Sequence, residues 1–274
     1  MDGCRAVVAV WIVTMSLPLV VQAGSVKEAK ISSTAGEVSL AGANGDNRKV
    51  SLNDSFARGT TITTAADSRA ELTFNNGAVA RLSVNSVLNF KGDLELAQGA
   101  VLIDVPGGNK AKIRAADIAV DVAGATALLE HQAPAFKFLV LEGTVRLYRP
   151  AHLGDSILIR SGQMVFGSTK SALADPVDFE IERFVKTCPL IQKFAPLRDE
   201  KLVAEASNRQ ERQKSKKGLV DTNLVIFGAG STVSVVDSGK GATPASNVSP
   251  AGSGQASVNA QADHRLEADA TSKP

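Results

Sequence analysis

Along most of the chain, apolar and polar residues alternate one by one. The alternation is clear in Glu37–Leu40, Ala70–Phe74 and Val101–Val105. A period of two places successive side chains on opposite faces of a β-strand, so half of each strand is built to be buried. The pattern therefore predicts an all-β protein made of short strands.

Glycines punctuate these strands about every 20 residues, which is the period of short solenoid repeats. We therefore expect a β-solenoid-like or double-sheet domain, with a β-sandwich of the same strands as the alternative. Asn75-Asn76-Gly77 lies between two alternating segments and predicts a hairpin turn, because Asn and Gly tolerate positive φ. The seven regularly spaced glycines are Gly36, Gly59, Gly77, Gly99, Gly124, Gly143 and Gly162.

After Asp175-Pro176 the apolar spacing becomes helical, with breaks at Pro189 and Pro196. Residues 176–217 are therefore predicted to form a helical appendage. Its apolar face is expected to pack on the β domain and cover an open edge or end. The alternative is a docking surface for a partner, since exposed amphipathic helices are a common recognition mode.

Two segments follow the appendage. In residues 218–238, the apolar-rich stretches Leu224–Phe227 and Thr232–Val236 flank Gly228-Ala229-Gly230 and predict a last β-hairpin. Residues 239–274 are rich in Ser, Ala, Gly, Pro and Asn and hold few hydrophobic residues. Such a segment cannot repay its ordering entropy, so we expect a disordered tail.

The first 23 residues have the organisation of a secretory signal peptide. A basic residue precedes the apolar stretch 6–21, and Val21-Gln22-Ala23 resembles a small-residue cleavage site. Cleavage after Ala23 would leave residues 24–175 as the β domain, in the periplasm, secreted or at the cell surface. The competing interpretation is a retained anchor, but the apolar stretch is shorter than the ~20 residues of a spanning helix.

Composition and charge narrow the classes of partner. Apolar residues make up 44% and aromatic residues 4%, so the core is expected to consist of Val, Leu, Ile and Ala. A net charge of +2 supplies no field strong enough to indicate nucleic acid or an anionic membrane surface. Cys4 leaves with the signal peptide, and Cys188 is then expected to be a small buried hydrophobic residue without a disulfide partner.

The sequence holds no motif for catalysis, a metal or a cofactor. His131, His152 and His264 are isolated, with no metal-ligand spacing. Two carboxylates ~5–9.5 Å apart would suit glycosidic cleavage, but strand positions of this kind usually face solvent. We expect a non-enzyme without cofactors and name no catalytic, metal or binding residue; a carboxylate-dependent glycan-active enzyme is a further alternative. The carboxylates considered are Glu71, Asp104, Asp121, Glu130 and Glu142.

From Gly36 to about Gly167, the order of short motifs resembles the FecR domain. Leu141–Val145 is similar to the family's Leu-Glu-Gly-x-Val element, and Gly162-Gln163 to its closing Ala-Gly-Gln. The upstream elements that carry the resemblance are Gly36-Glu37-Val38, Leu52, Gly59–Thr64, Ser68–Ala70, Phe74, Gly77, Leu82, Asn85-Ser86 and Leu96–Gly99.

The resemblance implies a FecR-type β domain and a role at the cell envelope. FecR itself is a membrane regulator that passes a siderophore-transport signal to a sigma factor, and this role requires an inner-membrane span. After the signal sequence, no apolar stretch of this chain approaches ~20 residues. The resemblance therefore implies a stand-alone exported domain that binds an envelope protein or ligand, with signalling as one use. The alternative is a cell-surface structural or glycan-binding module.

Overall fold

The computed structural model describes residues 27–43, 45–213, 219–220 and 235–236. The predicted signal peptide and the predicted tail from residue 239 lie outside these residues. The strands are β1 Glu28–Ala35, β2 Val38–Ala41, β3 Asn47–Lys49, β4 Ser55–Ala57, β5 Thr60–Thr64, β6 Arg69–Phe74, β7 Val79–Leu82, β8 Val87–Phe90, β9 Leu94–Ala115, β10 Ile118–Gln132, β11 Ala135–Glu142, β12 Thr144–Tyr148, β13 Ser156–Arg160, β14 Gln163–Ser168, β15 Val177–Asp178, β16 Leu219–Val220 and β17 Val235–Val236. The helices are α1 Ile181–Thr187, α2 Pro189–Gln192 and α3 Glu200–Gln213.

Fifteen strands form one antiparallel sheet that folds into two layers. The main path, which we call the helix-side layer, runs β15-β14-β11-β10-β9-β7-β6-β1-β4. The outer layer consists of β3-β2-β5-β8, β12-β13 and the ends of β9 and β10 that continue these strands, so the two long strands run through both layers. This arrangement confirms the all-β, double-sheet expectation.

The stacked coils inferred from the glycine spacing are not confirmed. Every ladder among the described strands is antiparallel, including the extended β9–β10 pair, whereas solenoid coils of the β-helix type stack strands in parallel. The regular glycine spacing instead reflects turns and bends between antiparallel strands.

One hydrophobic core fills the space between the layers. Alternate residues point into it, as Ala70, Leu72 and Phe74 do on β6, and all three are at most 3% exposed. Three phenylalanines from both layers meet edge to face, with ring centroids 6.2 Å apart for Phe56–Phe90 and 5.7 Å apart for Phe74–Phe90. The core is thus mostly aliphatic, with a small aromatic centre.

Two glycines show what the turns and bends require. Gly77 has φ +79° in the β6–β7 hairpin, where its N–H donates to the carbonyl of Phe74, so the predicted turn is present. Gly99 has φ +95° where β9 passes from the outer layer to the helix-side layer. A Cβ there would lie 2.5 Å from the Cα of Ser86, so only glycine fits.

The helical appendage packs on the open face of the helix-side layer. A second hydrophobic cluster joins sheet residues to helix residues such as Phe184, Leu190 and Val203. The appendage therefore packs on the β domain, as the first of the two interpretations held, although it covers a face and not only an edge. The sheet residues in this cluster are Leu102, Leu128, Leu139, Leu141 and Met164.

Near the C-terminal end, Leu219–Val220 pairs antiparallel with Val235–Val236. The second strand lies within the predicted Thr232–Val236, whereas the rest of that segment and the predicted Leu224–Phe227 lie outside the described residues. In the part of the chain that the structure covers, no helix has both the length and the apolar character needed to cross a bilayer.

Candidate functional site

Four of the five carboxylates considered above lie on the helix-side face of the sheet. Glu71 follows the core residue Ala70, and Glu130 follows the core residue Leu129, so both point the other way, toward the appendage. Asp121 instead lies on the outer layer and is exposed. The solvent-facing expectation is wrong for Asp104, which is 2% exposed, because the appendage covers this face.

Arg81 is the central charged residue of this interface. It is 2% exposed, and its Nε donates to Glu71 Oε2 at 2.8 Å. Its two terminal nitrogens donate to carbonyls of the appendage, at 3.0 Å to Leu190 O and 2.6 Å to Ala195 O. The guanidinium carbon also lies 5.1 Å from the centroid of the Phe194 ring. One side chain therefore links β6, β7 and the α2–α3 connection.

A second group of carboxyls lies nearby on β9 and β11. Thr126 donates to Asp104 Oδ1 at 3.1 Å, and an irregularity of register places Glu142 opposite Thr126. Burial raises the pKa of both Asp104 and Glu142, and the negative charge of Asp199 raises it further. Arg198 opposes the shift at Asp104. Asp104 is sealed beneath the appendage, so a polysaccharide chain cannot reach it in this conformation.

Glu130 and Lys137 form a third charged contact. They lie opposite each other on β10 and β11, and Lys137 Nζ is 2.9 Å from Glu130 Oε2. Burial raises the pKa of Glu130, and the positive charge of Lys137 opposes the shift. A buried pair of this kind holds two strands in register and leaves neither charge available to a substrate.

In the described part of the chain, the remaining titratable residues include one surface cluster that could hold a metal and no arrangement typical of a nucleophile. Cys188 is buried, and burial raises the pKa of its thiol to about 11, so it stays protonated at neutral pH. His131 is 3% exposed, and its Nδ1 lies 2.9 Å from the carbonyl oxygen of Ala97. His152 is exposed in a loop, and His264 lies outside the described residues.

One carboxylate cluster has ligand atoms close enough to hold a cation. Glu180, Glu182 and Glu211 offer oxygens within 4.8 Å of one another at the junction of α1 and α3. The Lys186 ammonium bonds to Glu182 and compensates part of the charge. Sequence spacing could not reveal this cluster, because its members come from two helices that meet only in the fold.

Sequence reasoning also missed Arg81, which bonds both to the sheet and to the appendage. The available signal was its position: Arg81 follows Val79 and Ala80 and precedes Leu82 in a strand of four residues. A lone charge inside a short apolar strand indicates a buried partner. Its partners in the appendage are 109 and 114 residues further along the chain, so the sequence could not identify them.

One family model matches part of the chain. Residues 60–146 match the model of the FecR protein family. No curated protein matches the chain. Two crystal structures of a proposed anti-sigma factor from Parabacteroides distasonis resemble it at 11% and 12% identity, with TM-scores of 0.38 and 0.37. Each similarity covers 65% of this chain and 99% of the other.

Proposed function

Because residues 60–146 match the model of the FecR protein family, we propose that this protein is a non-catalytic binding module with a regulatory or signalling role at the cell envelope. It binds a protein or a ligand there and carries out no chemistry itself. The signal-peptide features of residues 1–23 support export, with cleavage after Ala23.

One observation carries the proposal: three of the five carboxylates that could have formed an active site, Glu71, Asp104 and Glu130, are bonded within the protein on the helix-side face. Arg81 joins Glu71 to the appendage, and Lys137 pairs with Glu130. Catalytic carboxylates need access to substrate and to water, whereas these groups are covered by α1–α3. Their arrangement supports a structural role that joins the sheet to the appendage.

The position of the FecR-matched segment in the fold also supports binding as opposed to catalysis, because this segment forms the centre of the β domain. Residues 60–146 span β5 to most of β12, including the long strands β9 and β10 that connect the two layers. The family segment thus supplies a rigid scaffold, and rigid scaffolds leave recognition to their exposed surfaces.

Saturable binding tests the proposal. The exported chain, tagged at its C-terminus, would be incubated with envelope extract, and the protein or ligand retained would be identified, purified and titrated back by calorimetry. We expect one saturable partner that heat-unfolded protein does not retain. Turnover of polysaccharide substrates by the folded chain, or absence of any saturable partner, would contradict the proposal.

A further inference from the structure

Five cationic side chains lie on the solvent face of the outer layer, three on β9 and one each on β12 and β13, with β10 between the two groups. Ala111, Ile113 and Ala115 of β9 point into the core, so the residues between and before them point outward. The same alternation directs Arg146 of β12 and Arg160 of β13 to solvent. We call this surface the basic face; it comprises Lys110, Lys112, Arg114, Arg146 and Arg160.

The basic face concentrates positive charge that the whole-chain total conceals. Lys112 Nζ lies 3.8 Å from Asp121 Oδ1, and a hydrogen bond to Tyr148 and the negative charges of Asp121 and Asp93 raise the pKa of Lys112. Five cations against these two carboxylates leave a surplus of three, so the rest of a chain with net charge +2 sums to −1. The weak total charge therefore does not describe this face.

Arg146, in the middle of the outer layer, is held in position by its neighbours. Arg146 lies over the ring of Tyr148, 5.7 Å from its centroid, and donates to Ser156 Oγ at 3.2 Å. Tyr148 in turn donates to Asp121 at 3.3 Å. Ordered side chains on a sheet lose less entropy on binding than those on a mobile loop.

The spacing of the cations fits a polypeptide. Lys110, Lys112 and Arg114 occupy alternate positions of one strand, so their Cα atoms are about 6.6–6.8 Å apart in sequence order. An extended peptide with Asp or Glu at every second residue has the same period. Guanidinium groups also bind carboxylates through two parallel hydrogen bonds. Exposed Leu158 lies opposite Arg146 and adds an apolar contact at the side of the face.

We propose that the basic face docks an extended acidic segment of a partner protein, with carboxylates at alternate positions. The inference rests on the proposed binding function and specifies the chemistry of the partner. The face lies on the side of the sandwich opposite the appendage, because its strands belong to the outer layer and α1–α3 cover the helix-side layer. Docking there leaves the appendage in place.

The test uses the full exported chain and a synthetic peptide of alternating Glu and Ser. Fluorescence anisotropy would compare wild type with R114E/R160E, and with K193E/K201E as a matched control. The control makes the same change of charge at two exposed lysines of the appendage region. We expect salt-sensitive saturable binding that falls by about tenfold or more in R114E/R160E and stays within about twofold in the control.

Other probes separate the alternatives. A peptide with Gln in place of Glu, polygalacturonate and phosphatidylglycerol vesicles would be titrated under the same conditions. Equal losses in the two variants, no saturable binding of the acidic peptide, or tighter binding of the polysaccharide or vesicles would overturn the proposal. If R114E/R160E still captures the envelope partner as wild type does, the basic face is refuted and the binding function stands. If wild type binds the peptide but captures no envelope partner, the proposed function fails instead.

Discussion

Arg81 is the single side chain whose removal should most weaken the attachment of the appendage. R81A leaves Glu71 without its cationic partner, so that among the described residues Ser32 Oγ alone donates to its carboxylate, and it leaves two appendage carbonyls without their donors. Breaking a buried ion pair by removing one partner costs about 3–5 kcal/mol, and each carbonyl that loses a donor adds about 1 kcal/mol. Because 14% of the Glu71 side chain is exposed, water solvates part of its carboxylate and reduces the loss of stability. We expect the free energy of unfolding to fall by about 4 kcal/mol.

Guanidinium denaturation measures this loss, and native-state trypsin digestion shows where it occurs. Since Arg81 joins β7 to the α2–α3 connection, R81A is expected to be cut faster than wild type within α1–α3. R114A is the control, because Arg114 is exposed on a strand of the outer layer and its removal should change stability by about 0.5 kcal/mol or less. If R81A unfolds within about 1 kcal/mol of wild type and resists trypsin equally, the packing account is refuted.

Three further predictions follow from the same structure. Truncation after Pro176 uncovers the apolar helix-side face and should yield aggregated or dye-binding protein; a monodisperse fragment with a native circular dichroism spectrum would argue against it. In thermal unfolding, G99A should lower the free energy of unfolding by about 2 kcal/mol more than G108A does. Both glycines have positive φ, but only at Gly99 would an added Cβ collide with Ser86. Similar losses of stability in the two variants would exclude the steric reason. The raised pKa of Asp104 contributes stability that is complete below its unfolded pKa near 3.8 and is lost as pH rises through the folded pKa. D104N has no such loss, so its free energy of unfolding should increase relative to that of wild type as pH rises from about 4 to 7. Denaturation at several pH values would check this.

The strands and their inward faces were predictable from the sequence because local alternation determines them. Ala70–Phe74 alternates and forms β6, with its apolar residues in the core. In Val101–Val105 the alternation predicted only the core-facing side of the strand. Leu102 in this segment points to the appendage, while its neighbours Val101 and Ile103 point to the core. A nearly continuous apolar strand indicates burial on both faces, so this segment already signalled a cover over the helix-side layer.

The charged contacts were not predictable in the same way, because they depend on long-range register. Asp104 and Glu142 share a face only because the β10–β11 ladder shifts by one residue at Thr126. The stacked-coil interpretation was not confirmed, for a related reason: glycine spacing indicates where the chain turns but not whether the next strand runs parallel or antiparallel. Local pattern thus predicts elements and faces, whereas partners require the fold.

The central claim is that this protein acts by binding a partner through a specific surface. Site-specific photo-crosslinking in the producing cell tests it directly, with the crosslinker placed in turn at the exposed residues Leu52, Leu158 and Leu202. These positions lie after β3, on the outer layer and on α3. The account predicts a discrete adduct with one other envelope component from Leu158, beside the basic face, and none from the other two positions. The absence of an adduct at all three positions, in protein that is exported and folded, would contradict it.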